Sequence, residues 1–341
     1  MKIAGAGESL LIGLIRRLQE SQAGGVAGRT AAGVLKGIGD DSAVLNTPPG
    51  TSLLASTDLL VEGVHFDLST TTAFQLGYKC ITVNLSDIRG MGGTPCYLLV
   101  SLGLPGDLEF DEFKEFVRGM TTAAGSYGVT IVGGDTCRSD KGFVVSVTVL
   151  GNSLKPVFRS GARPGQELFV TGTLGDSALG LKILQSSGNI MNLEDPETMS
   201  LPELLSEPGL RQYSVRVLKR HLMPDPVMQD YPGATAMMDV SDGLLIDLDR
   251  LCRESGTGVR LEQACLPLSD ALLKLAPVLG LDPFELALRG GEDYELIFAA
   301  PAGSTFENAT RIGEFVDGPG IIVSSDGIVK PLKAEGYDHF L

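Results

Sequence analysis

The chain has 341 residues, 43% hydrophobic and 20% charged, which fits a packed protein of two domains and argues against disorder. Its 27 lysines and arginines stand against 42 aspartates and glutamates, a net charge of −15, so neither nucleic acid nor an anionic membrane is an expected partner. The 5 cysteines include no C-x-x-C pair, which argues against a disulfide framework or a zinc site and for a reducing, cytoplasmic setting.

Residues 9–20 carry helical periodicity, with Ser9 as the expected N-cap. The opening MKIAGAGESL meets Glu8 too soon for a signal peptide. No apolar run approaches the roughly 18 uncharged residues of a membrane span, so none is expected. Glycine-rich sequence extends to about residue 40; the 44 glycines follow no short repeat and suit turns and close backbone approaches. Residues 51–66 read as a strand that breaks and continues in polar sequence, and 72–91 as a helix. After a Gly-Gly-Thr-Pro breaker at 92–95 come a strand at 96–105, an amphipathic helix at 111–128 closed by glycine, and strands at 129–136 and 143–152. Returning glycine and proline put a domain boundary near 152–165, dividing the chain into 1–152 and 153–341. The second part opens with a strand at 167–172, a helix at 176–187 and a polar stretch at 188–210. A helix at 208–222, a strand at 235–240, a helix at 242–256 and a strand at 295–301 follow. Strands alternating with helices indicate two α/β (α+β) domains.

Acidic residues recur in glycine- or serine-rich sequence at or near the ends of apolar runs: GIGDDSAVL, STD, NLSD, IVGGDT, MDVSDG and RGGEDYEL. Singly, each reads as a turn or a cap, and Asp242, just before a helix, is an expected N-cap. Together they suit a hard, oxygen-loving cation, so Mg²⁺ is favoured over zinc; the 3 histidines, at 65, 221 and 339, have no metal-ligand spacing. Mg²⁺ usually joins carboxylates to substrate phosphates, which points to a nucleoside triphosphate and lets an acidic protein bind a polyanion. No P-loop, protein-kinase or G-x-S-x-G signature occurs, and GAGESL and GIGDDS both break G-x-G-x-x-G at its last glycine.

The segments GIGDDSAVL, STDLLVEGVHF, LGYKCITVNLSDIRGMGGTP, IVGGDTCRSD, FRSGARPG, VTGTLGDSALGL, MDVSDGLLIDL, GGEDYELIF and GYDHF run in order over nearly the whole chain. They resemble the thiamine-monophosphate kinase family, which shares an ATP-binding fold with aminoimidazole ribonucleotide synthetase, selenophosphate synthetase and a hydrogenase maturation factor. GVHF, GGEDYEL and GYDHF favour the thiamine enzymes. The resemblance implies transfer of one phosphoryl group from ATP to thiamine monophosphate, giving thiamine diphosphate and ADP. It implies a homodimer whose N-terminal domains join strands across the interface, and an active site between the two domains. Position by position, it implies that Asp41, Ser56, Thr57, Asp58, Asp87, Asp135 and Asp239 hold several Mg²⁺ ions and that Asp242 holds a further one. Gly134, Asp135, Arg159 and Ser241 would bind ATP, while His65, Glu292 and Tyr337 would contact thiamine monophosphate.

Donor and acceptor are then both phosphates, and two like unit charges 4 Å apart cost about 4 kcal/mol at an effective dielectric of 20. Bridging cations lift that obstacle, and positioning with charge neutralisation is most of phosphoryl-transfer catalysis. The acceptor phosphate is already ionised near neutrality, so no side chain is expected to act as general base. His65 reads as a phosphate ligand or a packed polar side chain, and Arg159 as a bidentate phosphate clamp or a solvated arginine. Tyr337 reads as a stacking partner for the substrate's rings or a tether for the C-terminus. Asp40 and Asp41 are not separated by physics alone, since neighbours in extended chain face opposite ways. Two alternatives stay open: another ATP-dependent enzyme of the superfamily, and a nucleotide- and Mg²⁺-binding module without catalysis. Against the first, no cysteine precedes Cys80 and the sequence ends in GYDHFL, so the reactive cysteines of two relatives have no counterpart. Against the second, every recognised acidic position is present.

Overall fold

The computed structural model describes residue 2 and residues 8–25, 33–36, 43–325 and 328–336. Asp40, Asp41 and Tyr337 lie outside the described residues. The chain divides into two units. The first takes residues up to Ile88, with Gly93–Lys155 and Ile190–Asn192; the second takes Arg89–Gly92, Pro156–Asn189 and the rest from Leu193.

The first unit contains helix α1 (Glu8–Gly25), a small antiparallel pair β1 (Val34–Lys36) and β2 (Val44–Leu45), and then β3 (Ser52–Val61) and α2 (Ala73–Gly90). It continues with β4 (Thr94–Pro105), α3 (Phe110–Tyr127), β5 (Thr130–Ser139) and β6 (Val144–Ser153). Ser9 falls inside α1, which already starts at Glu8, so it is not the cap; an acidic residue in the first turn suits the helix dipole. Four strands form one sheet in the order β3-β6-β4-β5, with only β4 and β5 parallel. Strand β6 alternates with period two: Val145, Val147 and Val149 are fully buried and their neighbours half-exposed. Helices α2 and α3 meet at Gly77 and Gly119, where an added Cβ would lie 2.0 Å from the carbonyl oxygen of Phe116 or of Phe74. Only glycine permits that approach. Around the crossing, Phe113, Phe116 and Met120 are fully buried, and the Phe116 and Phe143 rings stand 4.9 Å apart.

Two strand limits differ from the expectation. Strand β3 stops at Val61 because Val64 and His65 both donate backbone N–H groups to the Val61 carbonyl, which folds the chain into a turn. Strand β5 runs through the Gly-Gly-Asp segment to Ser139, because β4 pairs with it along its length. Asp58 and Asp135 therefore lie inside strands rather than at their ends. Both strands are sheet edges, where polar side chains are tolerated.

The second unit contains β7 (Glu167–Thr171), α4 (Asp176–Ser187), α5 (Pro208–Leu222), β8 (Ala236–Asp239) and α6 (Leu244–Ser255). Then come β9 (Gly258–Glu262), α7 (Asp270–Val278), α8 (Pro283–Arg289), β10 (Leu296–Ala300), β11 (Ala309–Val316), β12 (Gly320–Ser325) and β13 (Ile328–Leu332). One mixed sheet, ordered β13-β12-β9-β11-β7-β10-β8, is antiparallel except between β9 and β12. Strand β10 is buried on both faces: Ile297 and Ala299 join one core with Leu168, Val170 and Leu244, while Phe298 joins another with Phe169 and Tyr231. An unbroken apolar run is what such a strand requires. Strands β9 and β11 to β13 and helices α7 and α8 were not expected. In β9 and β11 the hydrophobic signal is interrupted by charges that pair across strands. Arg260 stands opposite Glu314 and bonds to it, and Arg311 reaches Glu262 at 2.8 Å and Glu167 at 3.0 Å. Among the described residues, no helix is long and apolar enough to cross a membrane.

Candidate active site

In the first unit, the Ser56 hydroxyl on β3 donates to the Asp87 carboxylate on α2 at 2.5 Å. Thr57, one residue on, faces the other side of the strand: its hydroxyl donates to the Val147 carbonyl and accepts from Thr148, each at 3.1 Å. Asp58 is half-buried on β3, and Asp135 is exposed on β5, where its carboxylate accepts the Thr136 N–H. Asp58 and Asp135 stand on the two edge strands of the sheet, their backbones three interstrand spacings apart across it, a path of about 14 Å.

Gly134 precedes Asp135 with φ 150°, and a Cβ there would fall 1.8 Å from the Val100 carbonyl oxygen. That residue must be glycine. His65 sits in the turn after β3, and its Nδ1 accepts the Val61 N–H at 3.1 Å. In the neutral ring Nε2 therefore carries the proton, which makes it a hydrogen-bond donor.

In the second unit, Asp239 ends β8 and is buried, Ser241 and Asp242 follow in the turn before α6, and Arg159 is exposed. Asp242 does not cap α6. The cap position is Gly243, without a side-chain bond, and the Asp247 carboxylate instead accepts the N–H groups of Ser241 and Asp242 at 3.0 and 2.9 Å. Arg250 draws the Asp242 carboxylate away at 2.6 Å and holds Asp247 at 2.7 Å. Burial pushes the Asp247 carboxyl up to about 6. The loop carrying Glu292 is tied to the same turn, since Glu292 N–H donates to the Ser241 carbonyl at 2.7 Å and Tyr294 N–H to that of Val240 at 2.9 Å.

Asp293, Asp247, Arg250 and His221 went unassigned in the sequence. Asp293 had a visible signal, its place inside GGEDYEL; His221 had none, because Ser177 and Glu292 are distant in the chain, and Asp247 and Arg250 read only as an ordinary i,i+3 helix pair. Fully buried, Asp293 accepts the Gly175 N–H at 2.7 Å and the Ser177 N–H at 3.3 Å, at the start of α4. Burial pushes its carboxyl up to about 7, against the opposing pull of Arg220 and the Gly175 amide. An unfolded aspartate releases its proton near about 4, so between about 4 and 7 the folded chain binds more protons. This group's contribution to stability is full below about pH 4 and falls as pH rises towards 7. Asp293→Asn is expected to flatten that part of the stability profile in urea denaturation. A variant profile parallel to the parent's counts against it.

The proposed metal donors are all hydroxyl and carboxylate oxygens, the set a hard divalent cation prefers, and Ser56 and Asp87 already stand together. Among the described residues, no three His, Cys, Asp or Glu side chains are gathered closely enough to hold a metal ion. Pairs and single donors of this kind suit Mg²⁺, which takes part of its shell from water and substrate phosphates.

Residues 39–153 match the family described as AIR synthase related protein, N-terminal domain. Thiamine-monophosphate kinase of Aquifex aeolicus (strain VF5) is 36% identical to this chain, with 100% of both sequences covered. The thiamine-monophosphate kinase of Escherichia coli (strain K12) is 35% identical over 89% of this chain and 91% of its own length. Among solved structures, AaThiL complexed with AMPPCP and TMP superposes with a TM-score of 0.74 at 35% identity, covering 100% of this chain and 99% of that one.

Proposed function

The chain belongs to the thiamine-monophosphate kinase family, and from that premise we infer that it phosphorylates thiamine monophosphate with ATP, releasing thiamine diphosphate and ADP. The observation that carries this reading is that the likeness to these kinases spans both units from end to end. A new P–O bond forms between the acceptor phosphate and the γ-phosphorus as the bond to ADP breaks. The acceptor oxygen is already ionised, so no side chain has to remove a proton.

The residue roles form the finer part of the proposal. Asp41, Ser56, Thr57, Asp58, Asp87, Asp135, Asp239 and Asp242 would hold Mg²⁺, which when bound neutralises the meeting phosphate oxygens. Arg159 would clamp ATP phosphates, and Gly134 and Ser241 would approach the nucleotide with Asp135. The His65 Nε2–H would donate to the acceptor phosphate. A carboxylate repels phosphate, so Glu292 would face the cationic thiazolium, with Tyr337 stacking on a substrate ring. A homodimer belongs to this reading. Both edges of the four-stranded sheet lack a partner strand among the described residues, and Leu53 and Leu59 on β3 are 59% and 53% exposed. If Asp58 and Asp135, on opposite edges of this sheet, hold one and the same Mg²⁺, a second chain is a natural source of one of them.

The test is a coupled assay for ADP with ATP and Mg²⁺. Release is expected with thiamine monophosphate, with thiamine diphosphate as product, and not with aminoimidazole precursors or selenide. No turnover with thiamine monophosphate, or turnover with another of these acceptors alone, overturns the reading.

A further inference from the structure

We propose that His221 is a positioning residue for the thiamine monophosphate site, holding the Glu292 carboxylate in the direction from which it meets the substrate's cationic ring. This rests on the assignment of Glu292 to that substrate made above. His221 lies on α5 and is only 7% exposed. Its Nδ1 stands 3.1 Å from Glu292 Oε2 and 3.1 Å from Ser177 Oγ. For His221 to donate to the carboxylate, which can only accept, Nδ1 must carry the proton, and the Ser177 hydroxyl is then its second acceptor.

The backbone under Glu292 is fixed by other means. Glu292 and Tyr294 have φ values of 64° and 51°, a left-handed conformation that non-glycine residues adopt where their surroundings impose it. Here the surroundings are the carbonyls of Ser241 and Val240, which accept the two N–H groups, and the start of α4, which Asp293 grips. Arg220, next to His221 on α5, donates to the Asp293 carbonyl at 2.9 Å and to Glu295 at 2.6 Å. One helix thus braces the loop with Arg220 and aims its side chain with His221. The choice of histidine has a geometric reason: a short, planar ring on α5 points a single N–H at the carboxylate from a fixed, buried position.

The experiment uses the full-length protein with Mg²⁺ and follows binding of thiamine monophosphate and, separately, of a non-hydrolysable ATP analogue by calorimetry, together with steady-state kinetics. His221→Leu is expected to weaken thiamine monophosphate binding about ten-fold, the loss typical of a hydrogen bond to a charged group. Affinity for the ATP analogue and kcat at saturating substrate should stay at the parent's level. His221→Asn, which keeps a donor near the place of Nδ1, should recover most of the loss. Adding His221→Leu to Glu292→Gln should cost no more than Glu292→Gln alone. If Glu292→Gln weakens binding and His221→Leu does not, the positioning role is wrong. Equal loss for both ligands, with a lowered melting temperature and no recovery in His221→Asn, makes the residue merely structural and also overturns the proposal. Unchanged thiamine monophosphate binding in Glu292→Gln removes the substrate role of Glu292 itself, and the role of His221 with it.

Discussion

Asp58→Asn and Asp135→Asn should each lower kcat by about three orders of magnitude, since several kcal/mol of transition-state charge stabilisation depend on a bound divalent ion. Asparagine keeps the shape of the side chain and removes the charge that binds the cation. The fold should survive. Asp135 is exposed and its carboxylate bonds to the adjacent Thr136 N–H, which an amide oxygen can still accept, and Asp58 is half-buried on an edge strand. Melting curves of both variants are expected to overlay the parent's. Near-normal turnover at saturating Mg²⁺ in either variant removes that residue from the metal set. The separation of the two edges supplies a sharper test. If each site takes Asp58 from one chain and Asp135 from the other, mixing the two inactive variants restores one intact site in every mixed dimer. Random assortment then returns about a quarter of the parent's activity. No recovery from mixed dimers rules out a site shared in this way.

Gly134→Ala is expected to cost about 3 kcal/mol of stability as well as activity, because two penalties coincide at one atom. At φ 150° an L side chain is strained, and the new Cβ would sit 1.8 Å from the Val100 carbonyl oxygen and 2.6 Å from its carbonyl carbon. The obstacle is backbone of a paired strand, so no rotamer change relieves it. The displacement would also move Asp135, the next residue. The midpoint of urea denaturation should fall and ADP release should be lost together. A variant as stable as the parent would mean that β5 yields at little cost, and that the close approach does not hold Asp135 in place.

Much of this molecule can be read along the chain. The period-two valines of β6 announce a strand buried on one side, and the pattern ending at Gly128 announces α3, whose last turn closes on that glycine at φ 67°. Oxygen donors without histidine or cysteine clusters point to a hard cation, and the ordered motifs to a kinase family. Signals of this kind span a few residues, so the sequence carries them whole. Other features depended on which segments meet. Asp242, a plausible cap by position, is drawn off by Arg250 of the following helix, while Asp247 takes the amides because the core packed around that helix buries it. Asp58 and Asp135 look alike in their glycine- and serine-rich settings but fall on opposite edges of one sheet. The charged strands β9 and β11 hide their period until Arg260 finds Glu314 opposite. His221 shows no motif at all, and only the packing of α5 against the Glu292 loop brings its ring to the carboxylate. Periodicity and capping are properties of neighbours in sequence, whereas the direction of a side chain in a site is set by the burial of groups far apart in the chain, which only the folded core brings into contact.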